Sequence, residues 1–268
     1  MDKLKSRLKK AGFIIVIIYV MIGGLLYTLQ EKMLFLPSVL ADDYTFQFDT
    51  PFKEVNLKPE KEVLINALHF KAEQSQGVIL YFHGNAGDLS RWGHIAAHFV
   101  KYDYDVFVID YRTYGKSKGE LSEQAFFDDA QYCYQYLMKT YNEENIIVYG
   151  RSLGTGIAAH LASNNKPQHL ILETPYYSIA DVAQHRFPIF PVKYLLRYHF
   201  KTFEVLPNVN CPIHIIHGTN DKIVPYESGK KLTELGIKNL SFVTLKEGEH
   251  HNLNTFNTYH KTIASILK

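Results

Sequence analysis

Cysteine is nearly absent from this chain. Two cysteines among 268 residues, Cys133 and Cys211, exclude a disulfide framework. Cys133 falls in a helical pattern and Cys211 just before a strand, so both are expected as small, buried, unbridged residues. An excess of one charge is missing too, since 29 basic residues face 27 acidic ones. Five of the basic residues (Lys3, Lys5, Arg7, Lys9 and Lys10) crowd the first ten positions beside Asp2. That leaves 24 basic and 26 acidic residues, a balance that offers no footprint for nucleic acid. Neither G-x-G-x-x-G nor a Gly-Lys-Ser/Thr phosphate loop occurs. His94 and His98 stand four apart, a metal-pair spacing, but no third ligand is spaced with them, so no metal and no cofactor are expected. Internal repeats and low-complexity tracts are also lacking. What the chain does have is apolar bulk: 46% hydrophobic and 14% aromatic residues, enough for one large, well-filled α/β domain.

Charge is missing altogether from Ala11 to Leu29, a run of nineteen residues. At 1.5 Å per residue such a run just crosses a bilayer core. It has no polar face, unlike a buried helix of that length. A secretory signal peptide shares the basic start, but should carry a shorter apolar region and a small-x-small cleavage site. Gln30-Glu31-Lys32-Met33 offers no such site. The expectation is an uncleaved signal anchor, with residues 1–10 as a cytoplasmic flank, 11–29 as the span and 30–51 as a juxtamembrane connector. The basic flank precedes the span, which places the domain, 52–268, on the extracytoplasmic side. The membrane is thus one expected partner; oligomeric state is left open.

Beyond the connector, two strands around Lys58-Pro59-Glu60-Lys61 form an antiparallel pair. Short apolar runs at 77–82, 105–110, 145–149, 169–173, 213–217 and 240–245 then alternate with helical stretches. That rhythm predicts an α/β fold, a mostly parallel sheet with helices on both faces. One stretch, 175–210, is too long for a single crossover. Its aromatics, Tyr176, Tyr177, Phe187 and Phe190 among them, make disorder untenable, and it is expected to be a cap over the site. Val192 to Phe200 is expected as a short helix within it.

Gly150-Arg151-Ser152-Leu153-Gly154 lies between the 145–149 strand and a small-residue helix. Strand, sharp turn and helix with serine at the apex is the context that gives Gly-x-Ser-x-Gly meaning. A serine hydroxyl needs a base within reach, and the base needs an orienting acid. Asp221, in the loop after the 213–217 strand, falls at a carboxyl end where ligands bind open parallel sheets. The next strand runs into His250 and His251, whose spacing alone does not separate them. A backbone amide pair must also face the developing oxyanion. Leu153, following the serine, should supply one amide, and Asn85, in the glycine-rich loop 83–87, the other. Asp110 and Arg112 read as a structural pair, Asp128 and Asp129 as a solvated helix face.

Taken together, Tyr81-Phe82-His83-Gly84-Asn85-Ala86-Gly87, Asp110-Tyr111-Arg112-Thr113-Tyr114-Gly115, the serine motif, His217-Gly218-Thr219-Asn220-Asp221 and His251-Asn252 resemble the α/β-hydrolase superfamily. The likeness runs from about Val55 to the end, and is nearest to the membrane-anchored bud-emergence-type branch, often profiled as serine-aminopeptidase-like. The resemblance implies a serine hydrolase acting through an acyl-serine intermediate on a small or lipid-like acyl ester or thioester. Its usual Gly-x-Gly-His-Asn ending, laid on 248–252, puts the base at His251, with His250 as the alternative. Two rival readings are an aminopeptidase, with Glu173 binding the substrate amine, and a silent adaptor that keeps only the fold.

Overall fold

A computed structural model describes residues 2–268. The chain opens with α1 (Asp2–Leu34), followed by β1 (Leu36–Pro37), β2 (Phe52–Leu57), β3 (Ile65–Phe70), β4 (Val78–Phe82) and β5 (Ala86–Gly87). Then come α2 (Leu89–Ala97), β6 (Asp105–Ile109), α3 (Glu123–Leu137), β7 (Ile146–Arg151), α4 (Gly154–Ser163) and β8 (His169–Glu173). Three short helices follow: α5 (Ile179–Arg186), α6 (Val192–Leu195) and α7 (Thr202–Val205). The chain closes with β9 (Ile213–Gly218), α8 (Tyr226–Lys230), β10 (Leu240–Leu245) and α9 (Asn257–Ile266).

Eight strands make one sheet in the order β10-β9-β8-β7-β4-β6-β3-β2. Only β3 breaks the parallel run, pairing antiparallel with β6 and, across the turn at 58–64, with β2. Central parallel strands are covered on both faces and so read as continuous apolar runs. In β4, Val78, Leu80 and Phe82 point into one core layer, Ile79 and Tyr81 into the other, and all five are fully buried. Cys133 and Cys211 are free and buried.

This order sets up the site. From β4 the chain crosses by α2 to β6, then returns by α3 to β7 on the other side of β4. The reversal leaves a crevice at the carboxyl edge, where open α/β sheets bind ligands. Phe82 and Gly150 are partners in the β4–β7 register, so the loops that leave those two strands emerge side by side. Gly218 and Leu245 are likewise partners at the ends of β9 and β10.

The aromatic stretch between β8 and β9 is folded and holds three helices where one was expected, but the expected one is shorter. Its helix at 192 stops after one turn, at Leu195, because Leu196 turns extended and the Arg197 amide donates instead to Gln30 Oε1, 2.7 Å away. The connector expected at 30–51 also proves to be built into the domain. Phe35 and Phe46 are buried, and β1 pairs in parallel with β5 beside Asn85. Helix α1 is long and apolar enough to cross a membrane, and no residue of its apolar window is buried.

Candidate active site

The serine turn is held by close packing and stored strain. A Cβ on Gly154 would collide with the carbonyl of Phe82, so α4 can approach the sheet only with glycine there. Ser152 itself adopts φ +52°. A non-glycine residue in that region costs about 1–3 kcal/mol and persists only where its surroundings demand it. Here the Ser152 amide donates to Glu173 O at 2.9 Å, and the Thr155 amide and hydroxyl both donate to Ser152 O.

Two loops bring acid and base to the serine. The Asn220 amide donates to Gly248 O at 2.8 Å and the Thr219 amide to Leu245 O at 3.0 Å, which clamps the Asp221 loop to the histidine loop. Gly218 and Gly248 pack so tightly that a Cβ on Gly218 would strike the Gly248 backbone. Asp221 Oδ2 then lies 2.7 Å from His250 Nδ1, and His250 Nε2 lies 3.0 Å from Ser152 Oγ. The expectation that His251 faces the serine is therefore corrected. His250 is 6% exposed and sits between Ser152 and Asp221, whereas His251 is exposed and meets His250 only edge-on. The physical reason is the missing second glycine. With the clamp fixed at Gly248 and the Glu249 amide donating to Asn252 Oδ1 at 2.7 Å, the first side chain directed inward is residue 250.

Asp221 is the anchor of this series. Its Oδ1 accepts the amides of Ile223 and Val224, each at 2.9 Å. Its Oδ2 also faces His217 Nε2 at 3.2 Å. Burial pushes the Asp221 pKa up, but hydrogen bonds from His217 and His250, the electrostatic attraction of His250 and the Ile223 amide outweigh it. The net effect holds the carboxyl well below the usual carboxylate range. His217 had no role in the sequence reading beyond opening the loop. Its fully buried ring is what marks it in the structure.

On the other side of Ser152, the loop after β4 is set by a second buried pair. His83 Nδ1 donates to Gly84 O at 2.6 Å, and His83 Nε2 lies 3.2 Å from Asp110 Oδ1. Both ring nitrogens thus face oxygens of the chain. Burial raises the Asp110 pKa, against the lowering effect of its bond to His83. Because the peptide is trans, fixing Gly84 O on one side turns the Asn85 N–H to the other. The Asn85 carbonyl is taken by the Leu36 amide at 2.9 Å and the Tyr114 hydroxyl at 2.8 Å. Among the described residues, neither the Asn85 nor the Leu153 backbone amide donates to another group of the chain. Asp110 thus pairs with His83 rather than with Arg112. Arg112 binds Asp129 at 2.8 Å and Glu60 at 2.8 Å, which makes Asp129 buried instead of solvated.

Arg151, inside the serine motif, had no reading from sequence. Its Nε lies 3.2 Å from Glu173 Oε1, its Nη2 donates to His250 O at 3.3 Å, and its guanidinium lies over Trp92. Glu173 in turn accepts from the hydroxyls of Tyr149 and Tyr259 and is 2% exposed. A carboxylate so committed has no edge left for a substrate amine, and the expectation that Glu173 fills that role is corrected. Arg151 is a positioning residue for the histidine loop. Arg151→Lys keeps a charge for Glu173 but loses the reach to His250 O. It should lower kcat by about tenfold with KM within about twofold, as a small misplacement of a reacting group does. Steady-state kinetics check this, and a change confined to KM would contradict it. His94 and His98 do not converge on a ligand set: His94 packs edge-on against Phe48, and no cluster of three metal-ligating side chains occurs among the described residues.

A strained serine, a histidine and a carboxylate in series at the carboxyl edge of a mostly parallel sheet belong to the class of α/β hydrolases. A family model described as serine aminopeptidase, S33 (Hydrolase_4), matches residues 73–205. An uncharacterized protein of Acanthamoeba polyphaga mimivirus is 30% identical over 235 residues, covering 79% of each chain. The lysophosphatidylserine lipase ABHD12 of Danio rerio is 32% identical over 195 residues, 63% of this chain but only 50% of that relative. In shape, the Pyrococcus furiosus esterase Pf2001 is similar with a TM-score of 0.68 at 18% identity, over 87% of this chain and 96% of the esterase. This chain belongs to the α/β-hydrolase superfamily.

Proposed function

We propose that this protein is a membrane-anchored serine hydrolase that cleaves acyl esters of lipid-like substrates. The observation that carries the reading is the unbroken series from Asp221 Oδ2 through His250 to Ser152 Oγ, at 2.7 and 3.0 Å. Ser152 Oγ attacks the ester carbonyl while His250 Nε2 takes its proton. Asp221 accepts the Nδ1–H throughout and stabilises the imidazolium that forms. The Leu153 and Asn85 amides receive the oxyanion, and they suit that task because no group of the chain competes for them. Collapse of the tetrahedral species breaks the bond to the leaving alcohol, which receives the proton from His250. Water then attacks the acyl-serine with His250 again as base, releasing the acid and restoring Ser152.

Helix α1 supplies the anchor, and its basic start favours a cytoplasmic amino terminus with the domain outside. The lipase relative supports a lipid ester in particular. An aminopeptidase is disfavoured because Glu173 is spent on Arg151, Tyr149 and Tyr259. A silent adaptor is disfavoured by strain retained at Ser152, which a fold kept only for binding has no reason to hold. A fluorophosphonate probe applied to the full chain in micelles decides between enzyme and adaptor. The wild type should label at Ser152, mapped by peptide mass. A chain that stays unlabelled would leave the adaptor reading standing.

A further inference from the structure

Three concavities line up along the seam between α1 and the cap. The inner one, about 540 Å³, is walled by Met33 and Leu34 of α1, by Val182 and Ala183 of α5, and by Lys222 and Ile223. A narrow middle one, about 70 Å³, shares Met33, Leu34, Ala183 and Phe187 and adds Leu26 and Leu195 to its walls. The outer one, about 380 Å³, shares Leu195 and reaches Tyr19, Gly23 and Phe190. The series follows α1 from Tyr19 to Leu34, about 22 Å of helix at 1.5 Å rise per residue.

Its inner end lies against both loops that flank the serine. Leu34 O accepts the Asn85 side-chain amide at 3.1 Å, and Lys222 and Ile223 directly follow Asp221. Its outer end lies deep along the anchor. Tyr19 stacks on Phe190 with ring centroids 4.8 Å apart, and its hydroxyl donates to Ile189 O at 3.0 Å. Tyr19 stands ten residues inside the span's end at Leu29, about 15 Å, or half of a hydrocarbon core. The cap tip beside it leaves Ile189 72% and Tyr194 76% exposed, surface that lipid would cover. The inner section carries His185, Arg186 and Lys222 beside its apolar walls, whereas the middle section is apolar apart from one residue. Its one amide side chain, Gln30, is fully engaged, donating to Tyr27 O and Leu195 O and accepting from the Arg197 amide. Glu31 pins the same contact from outside, bound by Tyr198 at 2.9 Å and Arg197 at 3.3 Å.

We propose that this seam is the acyl-chain subsite, with the anchor helix as one of its walls. A single unbranched acyl chain enters sideways from the hydrocarbon at Tyr19 and Phe190 and runs along α1. It carries its ester to Ser152 between the Asn85 and Asp221 loops. The narrow middle section admits one chain and not two. The inner volume falls within the roughly 300–1,000 Å³ of small-ligand sites. This inference rests on the serine-hydrolase reading above.

Ala183 faces both the inner and the middle section, so Ala183→Trp should block the path. The full chain in micelles is assayed with nitrophenyl palmitate and nitrophenyl butyrate, with rates expressed per fluorophosphonate-reactive site. The ratio of palmitate to butyrate kcat/KM should fall about tenfold, equivalent to losing the burial of roughly two methylenes. In parallel, a diazirine-bearing palmitoyl probe on the wild type should cross-link to α5, which decides the matter if the tryptophan variant does not fold. A wild type active on both esters whose ratio Ala183→Trp leaves unmoved overturns the groove alone, as do cross-links that avoid α5 and mark only the outer helix. A wild type inactive on both esters overturns the hydrolase reading and the groove with it.

Discussion

His250→Ala should lower kcat for a short-chain nitrophenyl ester by roughly 10⁴-fold or more, while His251→Ala stays within about threefold of wild type. The two residues are neighbours in sequence and their rings touch edge-on, so general damage to the loop would strike both variants alike. Only His250 has one ring nitrogen at Ser152 Oγ and the other at Asp221 Oδ2. Without it the serine keeps its proton, and only the oxyanion amides and binding remain to accelerate the reaction. His251→Ala removes an exposed ring that bonds to neither partner. Equal losses in the two variants, or a larger loss at His251, would overturn the assignment of the base.

Much of this arrangement is legible in the sequence. The strand rhythm is legible because central parallel strands must be apolar on both faces, and 78–82 and 146–150 could hardly be anything else. Ser152 is legible because glycine at 150 and 154 is demanded by backbone contacts, and glycine leaves a mark in sequence. Asp221 shows through its position just past a strand at the ligand-binding edge. The histidine was not legible. Which of two adjacent side chains turns inward depends on the Asn220–Gly248 and Glu249–Asn252 bonds, and those join loops that only the fold brings together. A family pattern with a glycine at position 250 puts residue 251 where the structure puts His250 for that reason. Arg151 and Glu173 were opaque for a related cause. Each is a charged residue in a strand end or turn, where solvent exposure is the ordinary reading. Their burial makes sense only once they are seen to neutralise each other beneath the histidine loop. The connector at 30–51 resembled a tether because nothing in its composition announces a two-residue strand pairing with the Asn85 loop.

That pairing changes how anchor and chemistry relate. The loop that carries the Asn85 amide is held on one side by His83 and Asp110, and on the other by Leu34 and Leu36 at the end of α1. The segment that follows α1 is therefore part of the site's scaffold, and a chain lacking residues 1–40 would lose the bonds that Leu34, Leu36 and Ser38 make to this loop.

Asp221→Asn carries the other large expected effect, a fall in kcat of roughly 10³- to 10⁴-fold with the fold retained. The Asn carbonyl oxygen can still accept the Ile223 and Val224 amides, so the loop need not move. Its NH₂ group then takes the place of Oδ2, opposite His250 Nδ1 and His217 Nε2. A donor there requires Nδ1 to accept, which puts the imidazole proton on Nε2, facing Ser152 Oγ. The base is then blocked by its own proton, and no carboxylate is left to stabilise an imidazolium. Stability supplies an independent readout. The Asp221 pKa is depressed in the folded state, so the wild type carries stability that is complete above the unfolded carboxyl pKa of about 3.9. This contribution declines as pH falls from there through the folded value, because the native carboxylate must then be protonated. Urea denaturation of the Asn variant should show a shallower acid-side loss than the wild type. Identical acid limbs, or a variant that keeps more than about a tenth of wild-type kcat, would remove Asp221 from the role assigned to it.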